Sequence, residues 1–315
     1  MKKLTLHLIL FSLFACTGDG QKYEYIEKNE LFRHTIKTGH FVELSQGFTY
    51  YEFDDLKNNN LIVFVHGFSV PSYIWDETYY EAIKRGYGVL RLDLYGRGNS
   101  DNPDVAYTDA LFANQVSELL DALNVNQKVT LVGLSNGGRV ISKFGENHAD
   151  RIKNLVYVSP GGFHPSRSID DHKEVTDDEI ASFIKNQYPT IAQGQMTDFK
   201  DPTKFKGWDK KYEALLKYKG FARALLSTRK HHHMLDKLNT KIGQMSVLQF
   251  AIWGDSDSVL PLKDVKVKIP KLMPKLKLFV IKDSGHLPHK EQINEFNHIF
   301  FEKILIELAY GYDEG

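Results

Sequence analysis

Gly133-Leu134-Ser135-Asn136-Gly137 is the segment of this sequence with the clearest capacity for covalent chemistry. It follows the apolar run Val129–Val132 directly and opens a stretch with helical character. On such a strand-to-helix turn a serine is driven into a strained backbone conformation. The flanking glycines let the chain bend, and the hydroxyl projects above the sheet at a helix N-terminus. A serine hydroxyl is a poor nucleophile until a base removes its proton. The base expected is a histidine on the loop after the last strand. Asp283-Ser284-Gly285-His286-Leu287-Pro288 follows the run Leu276–Ile281, which makes His286 the candidate. An imidazole in that role needs a carboxylate to set its tautomer and stabilise its cation. Gly254-Asp255-Ser256-Asp257-Ser258-Val259-Leu260-Pro261, after Leu248–Trp253, offers Asp255 and Asp257. Acyl transfer also needs donors for a developing oxyanion. The backbone N–H of Asn136, next after the serine, is one.

These loops lie far apart in sequence and need a frame that gathers them. Leu61–Val65, Val129–Val132, Leu155–Val158, Leu248–Trp253 and Leu276–Ile281 are continuous apolar runs, and Gly88–Leu92 is a weaker sixth. Such runs are what burial on both faces of a parallel sheet requires. Helical stretches are expected at 108–123, 138–147 and 291–308. Strand–helix alternation predicts right-handed crossovers and an α/β fold with a doubly wound, mostly parallel sheet. Residues 41–53 read as an antiparallel pair turning near Gln46-Gly47 at the sheet edge. Between 163 and 240 the sequence is polar, aromatic and helix-prone, without a strand. It is expected to form an inserted helical cap over the C-terminal edge of the sheet, where open α/β sheets bind ligands.

Taken together, these motifs resemble the α/β-hydrolase superfamily over roughly residues 40–315. His66-Gly67-Phe68 and Asp93-Leu94-Tyr95-Gly96-Arg97-Gly98-Asn99-Ser100-Asp101 are similar to the family's early loops. Residues 133–137, 254–261 and Gly285-His286 are similar to its three triad loops, in the family's order of Ser, Asp and His. The resemblance implies a catalytic triad of Ser135, Asp257 and His286. It favours Asp257 because the family's acid stands four residues before the proline, which leaves Asp255 to shape the turn. Some members carry the acid one strand earlier, but Ser159-Pro160-Gly161-Gly162 has no carboxylate there. The resemblance also implies an oxyanion hole made by the N–H groups of Phe68 and Asn136. Asp93 and Arg97 are expected to shape the loop beside the pocket, His66 to be a hydrogen-bonded structural histidine, and Trp75 to pack beneath the loop.

The N-terminus follows different rules. Met1-Lys2-Lys3, the mostly apolar run Leu4–Ala15 and Leu13-Phe14-Ala15-Cys16 resemble a bacterial lipoprotein signal. The run is too short to span a bilayer and reads as a signal peptide. Cys16 is the expected site of lipid attachment and the only cysteine, so no internal disulfide is possible. The expected organisation is a signal peptide at 1–15, a lipidated tether at 16–39, hydrolase core at 40–162, cap at 163–240 and core again at 241–315. That places the protein in a bacterial cell envelope, facing the periplasm or exterior and held to the membrane through the lipid.

The chain has 315 residues, 42% hydrophobic, with 40 basic and 40 acidic side chains. Zero net charge gives no footprint for nucleic acid. His231-His232-His233 lacks companion ligands and is expected on a solvated cap surface, so no metal and no cofactor is called for; His289 is likewise expected in solvent. Lys263, Lys266, Lys268, Lys271, Lys275 and Lys277 read as an exposed basic stretch, with attraction to anionic lipid as the sharper reading. The expected activity is hydrolysis of a small-molecule carboxylic ester through an acyl-enzyme. A lactonase, a proline-directed peptidase, a C–C bond hydrolase and a non-catalytic ligand-binding protein remain as alternatives. The cap aromatics Phe163, Phe183, Tyr188, Phe199, Phe205, Trp208, Tyr212, Tyr218 and Phe221 are expected mainly to pack the cap. No fixed carboxylate pair to grip an amine is evident, although Glu174, Asp177, Asp178 or Glu179 could turn inward. The balance tilts toward neutral, small-to-medium esters.

Overall fold

The computed structural model describes residues 22–55, 60–165 and 174–306. The proposed signal peptide and Cys16 lie outside the described residues. Eight strands form one sheet: β1 (His40–Leu44), β2 (Gly47–Asp54), β3 (Leu61–Val65), β4 (Gly88–Leu92), β5 (Val129–Leu134), β6 (Ile152–Val158), β7 (Leu248–Gly254) and β8 (Lys277–Ile281). Their spatial order is β1-β2-β4-β3-β5-β6-β7-β8. The β1–β2 and β2–β4 pairs are antiparallel and the remaining pairs are parallel. The sheet is therefore the doubly wound, mostly parallel one that the apolar runs imply.

Burial on both faces explains those runs. Leu61, Val63 and Val65 of β3 point into one apolar layer, with Phe112 and Val116 of α3 (Asp109–Ala122) and Val140 and Phe144 of α4 (Asn136–Asn147). Ile62 and Phe64 point into the other layer, with Trp75, Tyr79, Phe296 and Phe300. Each such side chain contributes about 1.5–3 kcal/mol on full burial. The other core helix on the second face, Asp76–Lys84, is not announced by the sequence pattern.

The last helix departs from expectation. In place of one helix from 291, the chain makes short helical turns at Pro288–Glu291 and Ile293–Asn297, then a π-helical stretch at His298–Ile304. Gln292, with φ −129° and ψ 57°, breaks the run. The wider π turn lets Ile299, Phe300, Phe301 and Ile304 all be buried on the sheet.

Between β6 and β7 the described residues form helices and no strand. They are Asp177–Asn186, Tyr188–Gly194, Trp208–Glu213, Phe221–Lys230 and Asp236–Gly243, with 3-10 turns between them. The first begins with a capping box in which Thr176 and Glu179 satisfy each other's backbone N–H groups. The last lies across the expected end of the cap and belongs by packing to the core: Ile242 sits in the same apolar layer as α4.

The tether expected at 16–39 needs correction over its described part. Residues 24–26 run beside residues 216–219, through Glu24 N–H to Leu216 O (2.9 Å), Ile26 N–H to Lys217 O (2.8 Å) and Lys219 N–H to Ile26 O (2.9 Å). The Glu24 carboxylate accepts the Tyr188 hydroxyl and the Ala222 N–H, each at 2.6 Å, and the Gly220 N–H at 2.8 Å. It thereby caps the helix Phe221–Lys230, whose first N–H groups have no intrahelical acceptor. A short helix, Glu30–Thr35, follows. The arm is polar in sequence, yet it is anchored by groups on the cap.

Candidate active site

Ser135 ends β5 and opens α4 with φ 51° and ψ −115°, a conformation that few non-glycine residues adopt. Holding it costs about 1–3 kcal/mol, which the surroundings must overcome. The Ser135 N–H donates to Val158 O at 2.9 Å, and its carbonyl accepts Gly161 N–H at 2.8 Å. The two flanking glycines are required by close approach. A Cβ on Gly133 would lie 2.4 Å from Gly137 O, and one on Gly137 would lie 2.4 Å from Val65 O.

His286 and Asp257 come together on the neighbouring loops. His286 Nδ1 lies 2.9 Å from Asp257 Oδ2. The same oxygen accepts the Trp253 indole N–H at 3.1 Å, while Oδ1 accepts the N–H groups of Val259 and Leu260, each at 2.9 Å. Four donors therefore hold one buried carboxylate in place. Asp255 is exposed, and among the described residues its carboxylate bonds only the neighbouring Ser256 hydroxyl, at 2.8 Å. Burial by itself would lower the proton affinity of His286. The hydrogen bond and charge of Asp257, with smaller help from Asp198 and Glu291, outweigh it and raise the imidazole above its ordinary value. Because Nδ1 carries the proton shared with Asp257, Nε2 is left to accept one. Ser135 and His286 line one chamber. No hydrogen bond yet joins their side chains, as is common before substrate binds.

Phe68 and Asn136 both stand beside Ser135 in the adjoining cleft. The Phe68 N–H has no acceptor among the described residues, and the Asn136 N–H belongs to the first turn of α4, where donors lack intrahelical partners. The Phe68 carbonyl is held from behind by Arg97 Nε at 2.8 Å. That guanidinium also reaches Tyr95 O (3.2 Å) and the Thr228 hydroxyl on the cap (2.8 Å). It is fully buried, and no ion pair to a carboxylate is formed among the described residues. Burial lowers its pKa to about 10. Asp93 accepts the N–H groups of Ser72 and Asn99, each at 2.8 Å, and so ties the two early loops together. His66 accepts the Leu94 N–H at Nε2 and donates from Nδ1 to Gly67 O, both at 2.9 Å. Burial drives it down to about 3, so it is a neutral structural group. Trp75 packs under the loop, its ring centroid 5.1 Å from that of Phe64.

Two spaces meet at Ser135. The chamber, about 180 Å³, is walled by Gly67, Phe68, Ser69, Val70, Ile74, Leu134, Gln195, Asp198, Val259, His286 and Leu287. The cleft, about 760 Å³, is lined on its far side by Arg139, His164, Arg229 and His232. None of the nine cap aromatics lines either space. They pack instead on one another, as in the stacked Phe199–Phe205 pair at 3.9 Å between centroids and the Phe199–Trp208 edge contact at 5.5 Å. None of Glu174, Asp177, Asp178 and Glu179 lines them either. Glu179 pairs with Lys230 at 2.7 Å.

The family is decided by the match of residues 62–298 to the model of the alpha/beta hydrolase family. This chain belongs to the alpha/beta hydrolase family. Its 101-residue match to an uncharacterized protein of Mycobacterium bovis is 35% identical and covers 32% of the hydrolase and 29% of that relative, so it spans less than a third of the relative's length. The fold is shared with an esterase from Exiguobacterium antarcticum, with a TM-score of 0.70, 20% identity, and coverage of 84% of the hydrolase and 98% of that chain. It is shared equally with a bromoperoxidase from Bacillus anthracis, with a TM-score of 0.68, 23% identity, and coverage of 84% and 99%. Two differently named chemistries on one frame mean that activity must be argued from the site.

Two residues of the hydrolase lie elsewhere than the sequence predicts. His232, expected in solvent, reaches the elbow: its Nε2 lies 2.8 Å from the side-chain oxygen of Asn136. Burial, reinforced by nearby arginines, lowers it to about 3 and keeps it neutral. His289, also expected in solvent, is buried, with Nε2 on Ile74 O at 3.0 Å and its ring 4.5 Å from Trp75. Asp198 also lines the chamber, and nothing in Gln195-Met196-Thr197-Asp198 marks it locally. Among the described residues, no group of three His, Cys, Asp or Glu side chains could hold a metal, and no helix is long and apolar enough to cross a membrane.

Proposed function

We propose that the protein is a serine hydrolase that cleaves small carboxylic esters through an acyl-enzyme. The observation that carries this reading is the Asp257–His286 pair, with His286 lining the same chamber as Ser135 beside two backbone N–H groups. In the first half-reaction His286 Nε2 takes the Ser135 proton as Oγ bonds to the ester carbonyl carbon. The carbonyl oxygen becomes an oxyanion facing the N–H groups of Phe68 and Asn136, each worth about 3–4 kcal/mol in comparable sites. The acyl–oxygen bond then breaks and His286 returns the proton to the departing alcohol. Water, activated by the same imidazole, repeats the sequence and releases the acid with Ser135 restored. Asp257 stays ionised and stabilises the imidazolium.

Two measurements test this. A fluorophosphonate probe should label the wild type at Ser135, and Ser135→Ala should lose both labelling and ester turnover while its circular dichroism is unchanged. Labelling of the variant at the wild-type rate would overturn the assignment. On chemical grounds the same residues could serve a lactone, a prolyl amide or a C–C bond, so kcat/KM for p-nitrophenyl butyrate is to be compared with that for proline p-nitroanilide. A preference for the ester of at least about a hundredfold, or 2.7 kcal/mol, is expected.

The N-terminal sequence supports a second part of the proposal, that Cys16 carries a lipid and holds the enzyme to a bacterial envelope membrane. Cys16→Ser should release the protein from the membrane fraction or leave its precursor unprocessed. An unchanged membrane fraction with an unlipidated N-terminus would count against it.

A further inference from the structure

Asp198 closes the 3-10 turn Gln195–Asp198 of the cap and is one of the walls of the chamber beside Ser135. Its position relative to the reacting groups is set by the backbone. The Asp198 carbonyl accepts the main-chain N–H of His286 at 2.8 Å, and the Thr197 carbonyl accepts the Ser258 hydroxyl at 3.3 Å. A side chain on Gly285 would meet Asp198 O at 2.7 Å, so a glycine is needed for this docking. The cap turn is therefore fastened to both the acid loop and the histidine loop.

The Asp198 carboxylate itself receives no hydrogen bond and forms no ion pair among the described residues. Asp198 is half-buried at the chamber wall, so its charge is only partly solvated and is open to a cationic partner. Burial, the largest influence, raises its pKa to about 6; His286 acts in the opposite direction, and Asp257 and Glu291 add to the rise. At pH 7.5 it is ionised and lacks a cationic partner. The rest of the chamber is mostly apolar. Apart from Ser135 and His286, its other polar side chains, Ser69 and Gln195, engage each other at 3.4 Å.

The chamber also has a defined place in the reaction. His286 gives its proton to the departing alcohol, so the alcohol must leave past His286. Of the two spaces that meet at Ser135, only the smaller chamber is lined by His286. The alcohol portion therefore occupies the chamber and the acyl chain lies in the larger cleft.

We propose, resting on the ester-hydrolase reading, that Asp198 is a specificity-determining residue that selects esters of short amino alcohols by pairing with the protonated amine of the leaving group. The ammonium N–H supplies the donor that the carboxylate lacks, and the alkyl part fills the apolar remainder of a chamber of about 180 Å³. The bond changes are those of ordinary ester hydrolysis: water is consumed, and the amino alcohol leaves with the proton from His286.

The test uses two esters of the same shape, 2-(dimethylamino)ethyl acetate, protonated at pH 7.5, and its uncharged counterpart 3-methylbutyl acetate. Wild type, Asp198→Asn and Ser135→Ala are compared by kcat/KM. The variant keeps the size of the side chain and the backbone bond to His286. Wild type should prefer the cationic ester at least tenfold. Asp198→Asn should lower the ratio of cationic to neutral ester at least tenfold. The ratio between enzymes cancels the intrinsic reactivity of the two esters. A ratio unchanged in Asp198→Asn, or an equal loss on both esters, overturns the proposal while leaving the ester reading standing. Absence of any hydrolysis of either ester that depends on Ser135 overturns the ester reading and this proposal with it.

Discussion

His286 Nδ1 and Asp257 Oδ2 lie 2.9 Å apart, with that oxygen also gripped by the Trp253 indole at 3.1 Å. The indole and two backbone N–H groups leave the carboxylate one orientation, and the imidazole inherits it. Asp257→Asn should lower kcat by about 10³–10⁴-fold, because an amide cannot stabilise the imidazolium and can favour the wrong tautomer. Asp255→Asn should stay within about threefold, since that side chain is exposed and touches only Ser256. The reverse ranking would sink the assignment of the acid. Protonated His286 cannot take the Ser135 proton, so kcat/KM should rise with pH. Because the imidazole is held above its ordinary 6.5, the limb should fall above that pH in wild type. It should move to lower pH in Asp257→Asn, and a limb that does not move would contradict the coupling.

The strain at Ser135 predicts a stability difference between two inactive variants. Glycine adopts positive φ without a Cβ clash, whereas alanine keeps it. Ser135→Gly should therefore be more stable than Ser135→Ala by about 1 kcal/mol, measured by urea unfolding. At an unstrained position glycine would be the less stable of the two by about 0.5–1 kcal/mol, so the sign of the difference decides the matter.

Arg97 joins the Phe68 carbonyl to the cap through Thr228, which makes it a positioning residue for the proposed oxyanion donor. Arg97→Lys keeps the charge but cannot reproduce the fork of donors. It should lower kcat at least about tenfold with little change in KM, because the Phe68 N–H matters most when the oxyanion forms. Arg97→Met should in addition lower stability by about 1–3 kcal/mol, by leaving buried acceptors unpaired. A KM effect alone would indicate that Arg97 shapes only the binding space.

Glu24 is the clasp between the N-terminal arm and the cap. Glu24→Ala leaves the Tyr188 hydroxyl and the N–H groups of Gly220 and Ala222 without this acceptor. A loss of about 1–3 kcal/mol is expected in chemical denaturation. Hydrogen exchange should quicken first in residues 216–230. An unchanged exchange pattern there would show that the arm does not brace the cap.

Burial explains which parts of this architecture can be read from the residues alone. Leu61–Val65 and Val129–Val132 are apolar throughout because helices cover both faces of those strands, and a parallel sheet leaves no other solution. Gly133 and Gly137 are legible for a similar reason: the turn around Ser135 has no space for a Cβ. Local sequence thus determined the sheet, the elbow and the loops that carry Ser135, His286 and the two aspartates. Asp255 and Asp257 are the same residue type two positions apart. Only the packing of Trp253 and the histidine loop brings one to His286 and leaves the other in solvent. His232, His289 and Asp198 carry no periodic signal, since their contacts come from elements distant in sequence: the elbow helix, the Ser72–Trp75 turn and the Gly285-His286 loop. The polar arm around Glu24 reads as a tether until the cap presents a helix N-terminus for it to fill. Periodicity reports whether a segment is covered by its neighbours, but not which distant side chain will meet a given charge; that pairing exists only once the loops are folded against one another.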